Sequence, residues 1–498
     1  MWLLPIVLFC YLMGVGSILG LGIMYEQYAF FSLGLALYIM WWSDRKWFAL
    51  ACLGIGTTCA LLIYEFAMNS GSGTLLQKTP FFTLLPLIVI TCWLKISRVF
   101  AGLICVFLVY GTIANHVPAP FTGANLDPLK FLTFMTHDRE AILGVPMMVT
   151  MTTVFAFVLF GRVMQMGGVG DYINNIAFTY FGKSKGGPAK VAVLSSGVFG
   201  SFSGSAVANV ITTGSITIPA MIKAGYSRTT AAALEAIAST YGQVLPPVMG
   251  AAAFIMAELV QVDYIDVAKF AAIPAIVAYG VLFVIVHVIG KRQNNIPTES
   301  INWIQLWRFV IPIVVLVMLA LKFYPIDVAA VLASGVALIT LFPYQQKIKD
   351  MANQLADDMS SLLVVAAACG FIISTLDQTG LAFTLSYVLS DMNTHGLFVV
   401  LLATATIALV LGMGMPTASA YIVVAMLIAP SLIELGIEPL RAHMFVLYFS
   451  VLSMVSPPVA LASFAAANIA KADPMKTAIR ATLFGVPMMV LPFIWIYM

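Results

Sequence analysis

The sequence predicts an all-α polytopic membrane protein with an inverted-topology repeat, and three observations support this fold class. First, 61% of the 498 residues are hydrophobic and 9% are charged, whereas about a quarter of the residues in a soluble globular chain are charged. Second, apolar runs near the ~20 residues that a helix needs to cross a bilayer recur along the chain. Third, one set of helix-breaking residues occurs twice at a constant spacing. A β-barrel would show short alternating segments instead.

Thirteen apolar runs predict membrane-crossing helices. The first run lacks the basic flank and the small-residue cleavage site of a signal peptide, so we expect it to be retained as a helix. We place the crossings near residues 3–21, 27–42, 47–67, 80–94, 98–113, 144–166, 228–258, 268–290, 305–323, 326–343, 356–376, 440–468 and 479–497.

Two further stretches, residues 192–223 and 397–433, are interpreted as re-entrant hairpins that enter and leave the membrane on one side. With this choice and a cytoplasmic N-terminus, 17 Lys and Arg residues fall on the cytoplasmic side and six on the other side. Such a bias is what the positive-inside rule predicts. Treating either hairpin as a full crossing would reverse the loops that follow it and remove the bias.

The repeat is visible as shared spacing. The segment PAMIKAGYSR begins at Pro219, and PSLIELGIEP begins at Pro430, 211 positions later. In both segments a glycine stands six positions after the proline, and the same offset relates Pro246-Pro247 to Pro457-Pro458. An odd number of crossings separates the two copies, so they are expected to run in opposite directions, as in many secondary transporters.

This repeat divides the chain into four predicted parts. They are N-terminal scaffold helices (1–113), a periplasmic loop (114–143), a first inverted repeat with a hairpin and connecting helices (144–343), and a second inverted repeat with a hairpin (344–498).

Both hairpins, and the crossing that follows each of them, contain glycines, prolines and hydroxylated residues that interrupt a helix. Interrupted backbone survives at membrane depth only inside protein or beside water. Its freed carbonyls and hydroxyls can bind a small cation, and helix N-termini can bind an anion. The alternative is ordinary helix packing through small residues. The candidate substrate- and ion-binding residues are Ser203, Gly204, Ser205, Asn209, Thr212, Thr213, Ser239, Gly242, Gln243, Pro246, Gly412, Gly414, Pro416, Thr417, Ser450, Ser453, Ser456 and Pro457.

Glu235 is a carboxylate within a predicted crossing, one helical turn before Ser239. Ionisable groups in the membrane are costly and often functional. Glu235 is therefore interpreted either as a possible coupling group, protonatable or substrate-orienting, or as a neutral or paired carboxylate that faces a loop or a helix end. Its counterpart in the second copy is Val446, so the repeat itself does not require an acid there.

No cofactor and no transition metal are expected. The six cysteines lie within apolar runs and lack metal-ligand spacing. The longest polar interval, Asn115 to Glu140, is too short to fold a soluble domain. The expected surroundings are the lipid bilayer, and nothing in the sequence indicates a nucleic-acid partner.

Three segments carry a resemblance to a known family: SGSAVANVITTGSITIPAMIKAGY, ASTYGQVLPPVMGAAAFIMAE and LGMGMPTASAYIVVAMLIAP. They resemble the large membrane subunit of tripartite ATP-independent periplasmic (TRAP) transporters, over about residues 144–498. The spellings SAVANV, EAIAST and PPVMGAAAFIMAE are most similar to the TAXI subgroup, in which the small and large membrane subunits are usually fused. By position, residues 1–113 resemble the fused small subunit with a linking helix.

The resemblance implies a multi-pass elevator-type transporter of the bacterial inner membrane and not an enzyme. It implies a separate periplasmic substrate-binding protein and no ATPase subunit. The expected substrate is a small organic acid such as 2-oxoglutarate, glutamate or a related dicarboxylate, and the coupling ion is Na+ or H+. The family's cation sites, with sodium at the hairpin tips, would fall on Ser203, Gly204, Ser205, Asn209, Gly242, Gln243, Gly412, Gly414, Thr417, Ser453 and Ser456.

Two alternatives remain at this point. One is a stand-alone ion-coupled carboxylate permease that works without a binding protein. The other is an intramembrane serine hydrolase that uses Ser203 with His443 as its base. The hydrolase is the weaker alternative, because Ser203 belongs to a hairpin tip that the repeat duplicates. The second tip carries Met415, which cannot act as a nucleophile in the same way.

Overall fold

The computed structural model describes residues 2–68, 74–290, 303–321, 324–341 and 347–497. All regular secondary structure in these residues is helical, which confirms the predicted all-α class. The predicted boundary between residues 343 and 344 lies outside the described residues, as do three of the basic residues used for orientation, Lys291, Arg292 and Lys322.

The N-terminal part of the chain begins with an interrupted helix. The run predicted as one helix over residues 3–21 is two helices, because Gly14 takes a left-handed conformation with φ 62° between them. Short π-helical segments, Cys92–Ile96 and Thr150–Val154, extend α5 and join α8 to α9. The helices are α1 (Leu3–Leu12), α2 (Val15–Ile18), α3 (Tyr25–Trp42), α4 (Lys46–Met68), α5 (Leu75–Thr91), α6 (Arg98–Ile113), α7 (Pro128–His137), α8 (Val145–Val149) and α9 (Phe155–Met166).

The middle of the chain contains the first hairpin, α11 to α13, and the first interrupted crossing, α14 and α15. A 3-10 turn, Gly242–Val244, follows α14. The helices are α10 (Val169–Phe181), α11 (Gly187–Ser203), α12 (Ala206–Thr212), α13 (Gly214–Lys223), α14 (Arg228–Tyr241), α15 (Ala251–Val260), α16 (Tyr264–Ile289), α17 (Trp303–Leu321) and α18 (Ile326–Thr340).

The C-terminal part contains the second hairpin, α21 and α22, and the second interrupted crossing, α23 and α24. Its helices are α19 (Ile348–Thr379), α20 (Leu381–Met392), α21 (Leu397–Gly412), α22 (Thr417–Glu434), α23 (Pro439–Leu452), α24 (Leu461–Ala470) and α25 (Pro474–Ile496).

Within the described residues, eight helical segments are long and apolar enough to cross a membrane, which supports a multi-pass protein. One of them is α22, an arm of the predicted second hairpin, so this arm alone has the length of a full span. The predicted crossings at 228–258 and 440–468 are each a pair of shorter helices, as their internal glycines and prolines indicate. The eight segments are Lys46–Tyr64, Gln77–Ile96, Arg98–His116, Val145–Met166, Tyr264–Ile289, Ile348–Thr379, Thr417–Glu434 and Pro474–Ile496.

The two copies of the repeat contain matching elements. The helices α14 and α23 both have 14 residues, and α15 and α24 both have 10. The turn before α14 contains Gly225 with φ 90°, and the turn before α23 contains Gly436 with φ 88°. The interrupted crossings of the two copies therefore correspond in helix length and in the turn before them, whereas the second arm of the hairpin is two helices in the first copy and one in the second.

The described chain forms two compact units. The first comprises residues 1–156, 348–394 and 426–434, and the second comprises residues 157–347, 395–425 and 435–498. In the first unit α3 packs against α4 and α19. The second unit holds both hairpin tips and both interrupted crossings, so all predicted site residues lie in it. The four-part division predicted from the sequence follows the repeat and stays a prediction.

Small residues set the distance between α3 and α4 in the first unit. A Cβ atom at Gly34 would lie 2.9 Å from the Cα of Gly56, and a Cβ at Gly56 would overlap the Cα of Gly34. The obstacle is backbone, which cannot rotate away as a side chain can. Close helix approach through small residues is typical of membrane proteins.

We therefore expect Gly56→Ala to lower the apparent melting temperature of the purified protein in detergent, because overpacking costs about 1–3 kcal/mol. The control is Gly54→Ala, on the same helix, where an added Cβ meets no atom within 4 Å. Equal melting temperatures for the two variants would contradict the observed crossing.

Candidate functional site

The tip of the first hairpin contacts the break in the first interrupted crossing. Gly204 ends α11 with φ 62°, and the hydroxyl of Ser205 caps α12 by accepting the N–H of Ala208 at 3.3 Å. Across the contact, the N–H of Met249 donates to the carbonyl of Ser201 at 3.0 Å. We call residues 200–205 and 242–250 the first tip–break site.

Glycines allow this contact. A Cβ at Gly200 would lie 2.8 Å from the Cα of Gly242 and 2.7 Å from Nδ2 of Asn209. A Cβ at Gly204 would lie 3.0 Å from the carbonyl oxygen of Met249. The backbones of the hairpin and of the break thus approach each other closely, because glycine has no side chain to separate them.

The second hairpin makes the equivalent contact. The N–H of Gly414 donates to the carbonyl of Val459 at 3.2 Å. A Cβ at Gly412 would lie 2.6 Å from Oγ of Ser453. We call residues 412–417 and 453–459 the second tip–break site; Pro416, Thr417 and Pro457 belong to it by position. Each hairpin therefore contacts the break in the crossing that follows it.

Several buried polar groups at and beside these sites make no hydrogen bond within the described chain. They are Oγ of Ser203, both amide atoms of Gln243 and Oγ of Ser450. Gln243 is only 2% exposed. Buried polar groups in proteins are nearly always hydrogen-bonded, so these hydroxyls and this amide are available to a ligand. In contrast, Ser453 and Ser456 donate to the carbonyls of Ser450 and Leu452 at 2.6 and 2.9 Å.

A cluster of hydroxyls surrounds Glu235 on α14, and the carboxylate is fully buried. Its Oε1 accepts hydrogen bonds from Ser196 at 2.6 Å, Thr213 at 2.7 Å and Ser239 at 3.1 Å. Its Oε2 accepts one from Thr217 at 2.5 Å. These donors stand on α11, on the turn between α12 and α13, on α13 and on α14. Neither sequence interpretation of Glu235 described this environment. Ser196 and Thr217 were not among the candidate residues predicted from the sequence.

Asn209 connects this cluster to the hairpin. Its Nδ2 donates to the carbonyl of Ser196 at 2.7 Å, and its Oδ1 lies 3.0 Å from the hydroxyl of Thr213. Asn209 is therefore a bridge between the hairpin arms, whereas Ser205 caps the half-helix. Thr212 does not join the cluster, because its side chain is exposed and its hydroxyl donates to Ala208 within the same helix at 2.9 Å.

The acid of the Glu235 cluster and two of its four hydroxyl donors have apolar counterparts in the second copy, whereas Ser239 corresponds to Ser450. At the offset of 211, Glu235 corresponds to Val446, and Thr213 and Thr217 correspond to Val424 and Ile428. All three apolar side chains are fully buried. The second copy buries apolar residues at these three positions, so the repeat itself does not require Glu235, Thr213 and Thr217.

The arrangement does not support a serine hydrolase. Oγ of Ser203 has no hydrogen-bond partner in the described chain, and Nδ1 of His443 lies 2.7 Å from the hydroxyl of Tyr421. The described residues also contain no group of three or more His, Cys, Asp or Glu side chains that could hold a metal ion.

The fold is that of a polytopic helical membrane protein with two matching pairs of interrupted elements. The chain is structurally similar to the YdaH transporter of Alcanivorax borkumensis, with a TM-score of 0.55 and 15% identity, over 80% of this chain and 97% of that one. At this identity the similarity concerns the fold alone.

Residues 81–498 match the sequence model of the tripartite ATP-independent periplasmic transporter, DctM component, and the chain belongs to this family. Relatives include the C4-dicarboxylate TRAP transporter large permease protein DctM of Pseudomonas aeruginosa, 25% identical over 73% of this chain and 85% of that protein. The protein of that name from Vibrio cholerae is 26% identical over 69% and 82%. The predictions of a TRAP large permease and of a non-enzymatic protein are confirmed.

Proposed function

We propose that this chain is the membrane permease of a TAXI-type TRAP system, which imports a small organic acid driven by an ion gradient. The main support for this proposal is the presence of two tip–break sites in a chain of the DctM family. Glycines at the hairpin tip contact an interrupted crossing in both copies, Gly200 and Gly204 in the first and Gly412 and Gly414 in the second. Transporters with inverted repeats bind substrate and ions at such breaks.

A dicarboxylate or related organic acid agrees with the chemistry of the sites. The two relatives named above are C4-dicarboxylate permeases. The amide of Gln243 and the hydroxyls of Ser203 and Ser450 are buried and make no bond within the described chain. Amide N–H and hydroxyl groups donate hydrogen bonds to carboxylates. We favour 2-oxoglutarate, glutamate or a related dicarboxylate as the substrate.

The coupling ion is Na+ or H+. Carbonyl and hydroxyl oxygens at the tips are suitable ligands for a hard monovalent cation. Glu235 is the proposed coupling group, because its carboxylate bonds to hydroxyls of both arms of the first hairpin and of α14. An ion that changes the charge of this cluster would change how the hairpin is held to the crossing.

The wider architecture belongs to the same proposal. The two copies have opposite orientations in the bacterial inner membrane, their hairpins are re-entrant, and transport follows an elevator mechanism. Residues 1–113 are proposed to be the fused small-subunit part with a linking helix, and the family match, which starts at residue 81, includes the end of this part. A periplasmic binding protein delivers the substrate, and no ATPase subunit is involved.

The test is uptake of radiolabelled substrate by proteoliposomes, with sodium and proton gradients imposed separately. We expect accumulation with at least one gradient, only when the cognate periplasmic binding protein is present, and without any effect of ATP. The substrates to compare are 2-oxoglutarate, glutamate and a C4-dicarboxylate. Accumulation without the binding protein would favour a stand-alone permease, and no accumulation under either gradient would contradict ion coupling.

A further inference from the structure

A cavity beside the first tip–break site is not explained by the proposed transport function. It lies in the second unit, between α16, α17 and α18, and has two adjoining parts that share Tyr264, Lys269 and Leu321. We call the apolar part, lined by Pro246, Pro247 and Ala272, the inner part, with a volume of about 280 Å³. The part lined by Asp263, Asp266 and Tyr324 is the outer part, with a volume of about 390 Å³. Cavities of roughly 300 Å³ and above are typical of small-molecule sites.

The inner part is apolar. Ala268 and Ala272 stand one turn apart on α16 and leave space opposite Leu316 on α17. Its wall also includes Pro246 and Pro247, the residues of the first break. The lining on α16 extends from Ile265 to Ala272, which is about 10 Å at a helical rise of 1.5 Å per residue.

Aromatic stacking keeps this wall in place. The ring of Phe254 stacks on Phe157 at 4.2 Å and on Tyr264 at 4.5 Å between centroids. The hydroxyl of Tyr264 donates to the carbonyls of Val248 and, at 3.1 Å, Pro247. Phe254 thus packs against two lining residues, Phe157 and Tyr264, and Tyr264 is hydrogen-bonded directly to the break.

The helices that form the cavity also form an apolar outer surface. On α16, Ile273 is 72% exposed and Ile276 is 64% exposed, and Met318 on α17 is 52% exposed. The helix α16 is 26 residues long and has the apolarity of a full membrane span. In a bilayer this surface contacts acyl chains, so the apolar part of the cavity adjoins lipid.

The outer part is polar and contains both signs of charge. Asp263, Asp266, Lys269 and Tyr324 line it, at the N-terminal end of α16. The Nζ atom of Lys269 lies 2.9 Å from Oδ1 of Asp266, and both side chains are more than half exposed. A weak exposed pair of this kind can open to bind an external ammonium and an external phosphate.

We propose that this cavity binds a phospholipid with a primary-ammonium headgroup. One acyl chain occupies the inner part against Pro246 and Pro247. The phosphate binds Lys269, and the ammonium binds Asp263 and Asp266. The apolar inner part next to the lipid-facing surface matches an acyl chain, and the two signs of charge in the outer part match the phosphate and the ammonium. The lipid then forms part of the wall behind the first tip–break site.

The test uses full-length protein, delipidated in detergent and titrated with dioleoyl phosphatidylethanolamine, phosphatidylcholine or phosphatidylglycerol. Bound lipid is counted by native mass spectrometry, and the apparent melting temperature is measured in parallel. Wild-type protein is expected to retain phosphatidylethanolamine at about tenfold lower concentration than the other two lipids, or about 1.4 kcal/mol. Ala272→Phe fills the inner part and is expected to abolish this preference, whereas Ile276→Phe, on the exposed face of the same helix, retains it.

A separate variant tests whether the acidic residues of the outer part bind the ammonium headgroup. Asp266→Asn is expected to reduce the preference for phosphatidylethanolamine over phosphatidylcholine while leaving total lipid retention unchanged. Equal retention of all three lipids by wild-type protein, or an unchanged preference in Ala272→Phe, would overturn the proposal. A third result would also overturn the proposal: a wild-type protein that is a dimer and becomes a monomer in Ala272→Phe. The cavity would then be occupied by a second copy of the chain and not by a lipid.

Discussion

Glu235→Gln is expected to reduce gradient-driven accumulation in proteoliposomes at least about tenfold, equivalent to about 1.4 kcal/mol. The substitution keeps the size of the side chain and one carbonyl oxygen for the surrounding hydroxyls, but it removes the charge. The carboxylate accepts four hydrogen bonds within a fully buried cluster. A coupling role makes accumulation, and not merely protein stability, depend on that charge.

Two controls separate coupling from folding. Glu258→Gln removes an exposed carboxylate from α15 in the same repeat and is expected to transport normally. The triple variant Thr213→Val, Thr217→Ile, Glu235→Val copies the apolar residues that the second repeat buries at these positions. We expect this variant to insert and fold but not to accumulate substrate. Normal accumulation by the triple variant would show that the cluster has no part in coupling.

Gly200→Ala is expected to reduce uptake by about tenfold or more, equivalent to about 1.4 kcal/mol, by separating the first hairpin from the crossing it contacts. The added methyl would lie 2.8 Å from the Cα of Gly242 and 2.7 Å from Nδ2 of Asn209. The first obstacle is backbone, and moving the second would break the hydrogen bond from Asn209 to the carbonyl of Ser196. Overpacking at such a contact costs about 1–3 kcal/mol.

Gly280→Ala on α16 is the matched control, because its added Cβ meets no atom within 4 Å. It is expected to transport like the wild-type protein at equal amounts in the membrane. Gly412→Ala tests the second site in the same assay, where the obstacle is the side chain of Ser453 at 2.6 Å. Wild-type rates for both Gly200→Ala and Gly412→Ala would contradict a transport role for the tip–break contacts.

The positions of the helix interruptions could be predicted from the sequence, because glycine and proline act locally on the backbone. The second hairpin breaks at Gly412–Pro416, and α14 and α23 end within a few residues of their double prolines. The same reasoning failed for residues 3–21, since the break at Gly14 is made by one glycine within an otherwise apolar run. A single glycine is compatible with a continuous membrane helix.

The contacts between the interrupted elements could not be predicted in the same way. Ser196 and Thr217 reach Glu235 only because three helices meet there. A partial signal was present: Thr213 and Thr217, like Glu235 and Ser239, are four residues apart and so share a helix face. Which faces meet is decided by tertiary packing. Thr212 and Asn209 lie close together in the sequence, yet only Asn209 points into the cluster.

The most direct test of the proposed transport site is whether the two tip–break sites can be reached from each side of the membrane. Ser203→Cys and Ser450→Cys would be made separately in a chain whose six native cysteines, all free thiols, are replaced by alanine. Oriented proteoliposomes would then be treated with a membrane-impermeant thiol reagent on one side at a time. We predict labelling of each cysteine from both sides, and protection when substrate and the driving cation are present together. Labelling from one side only under every ion and substrate condition, or from neither side, would contradict a transported site built from these breaks.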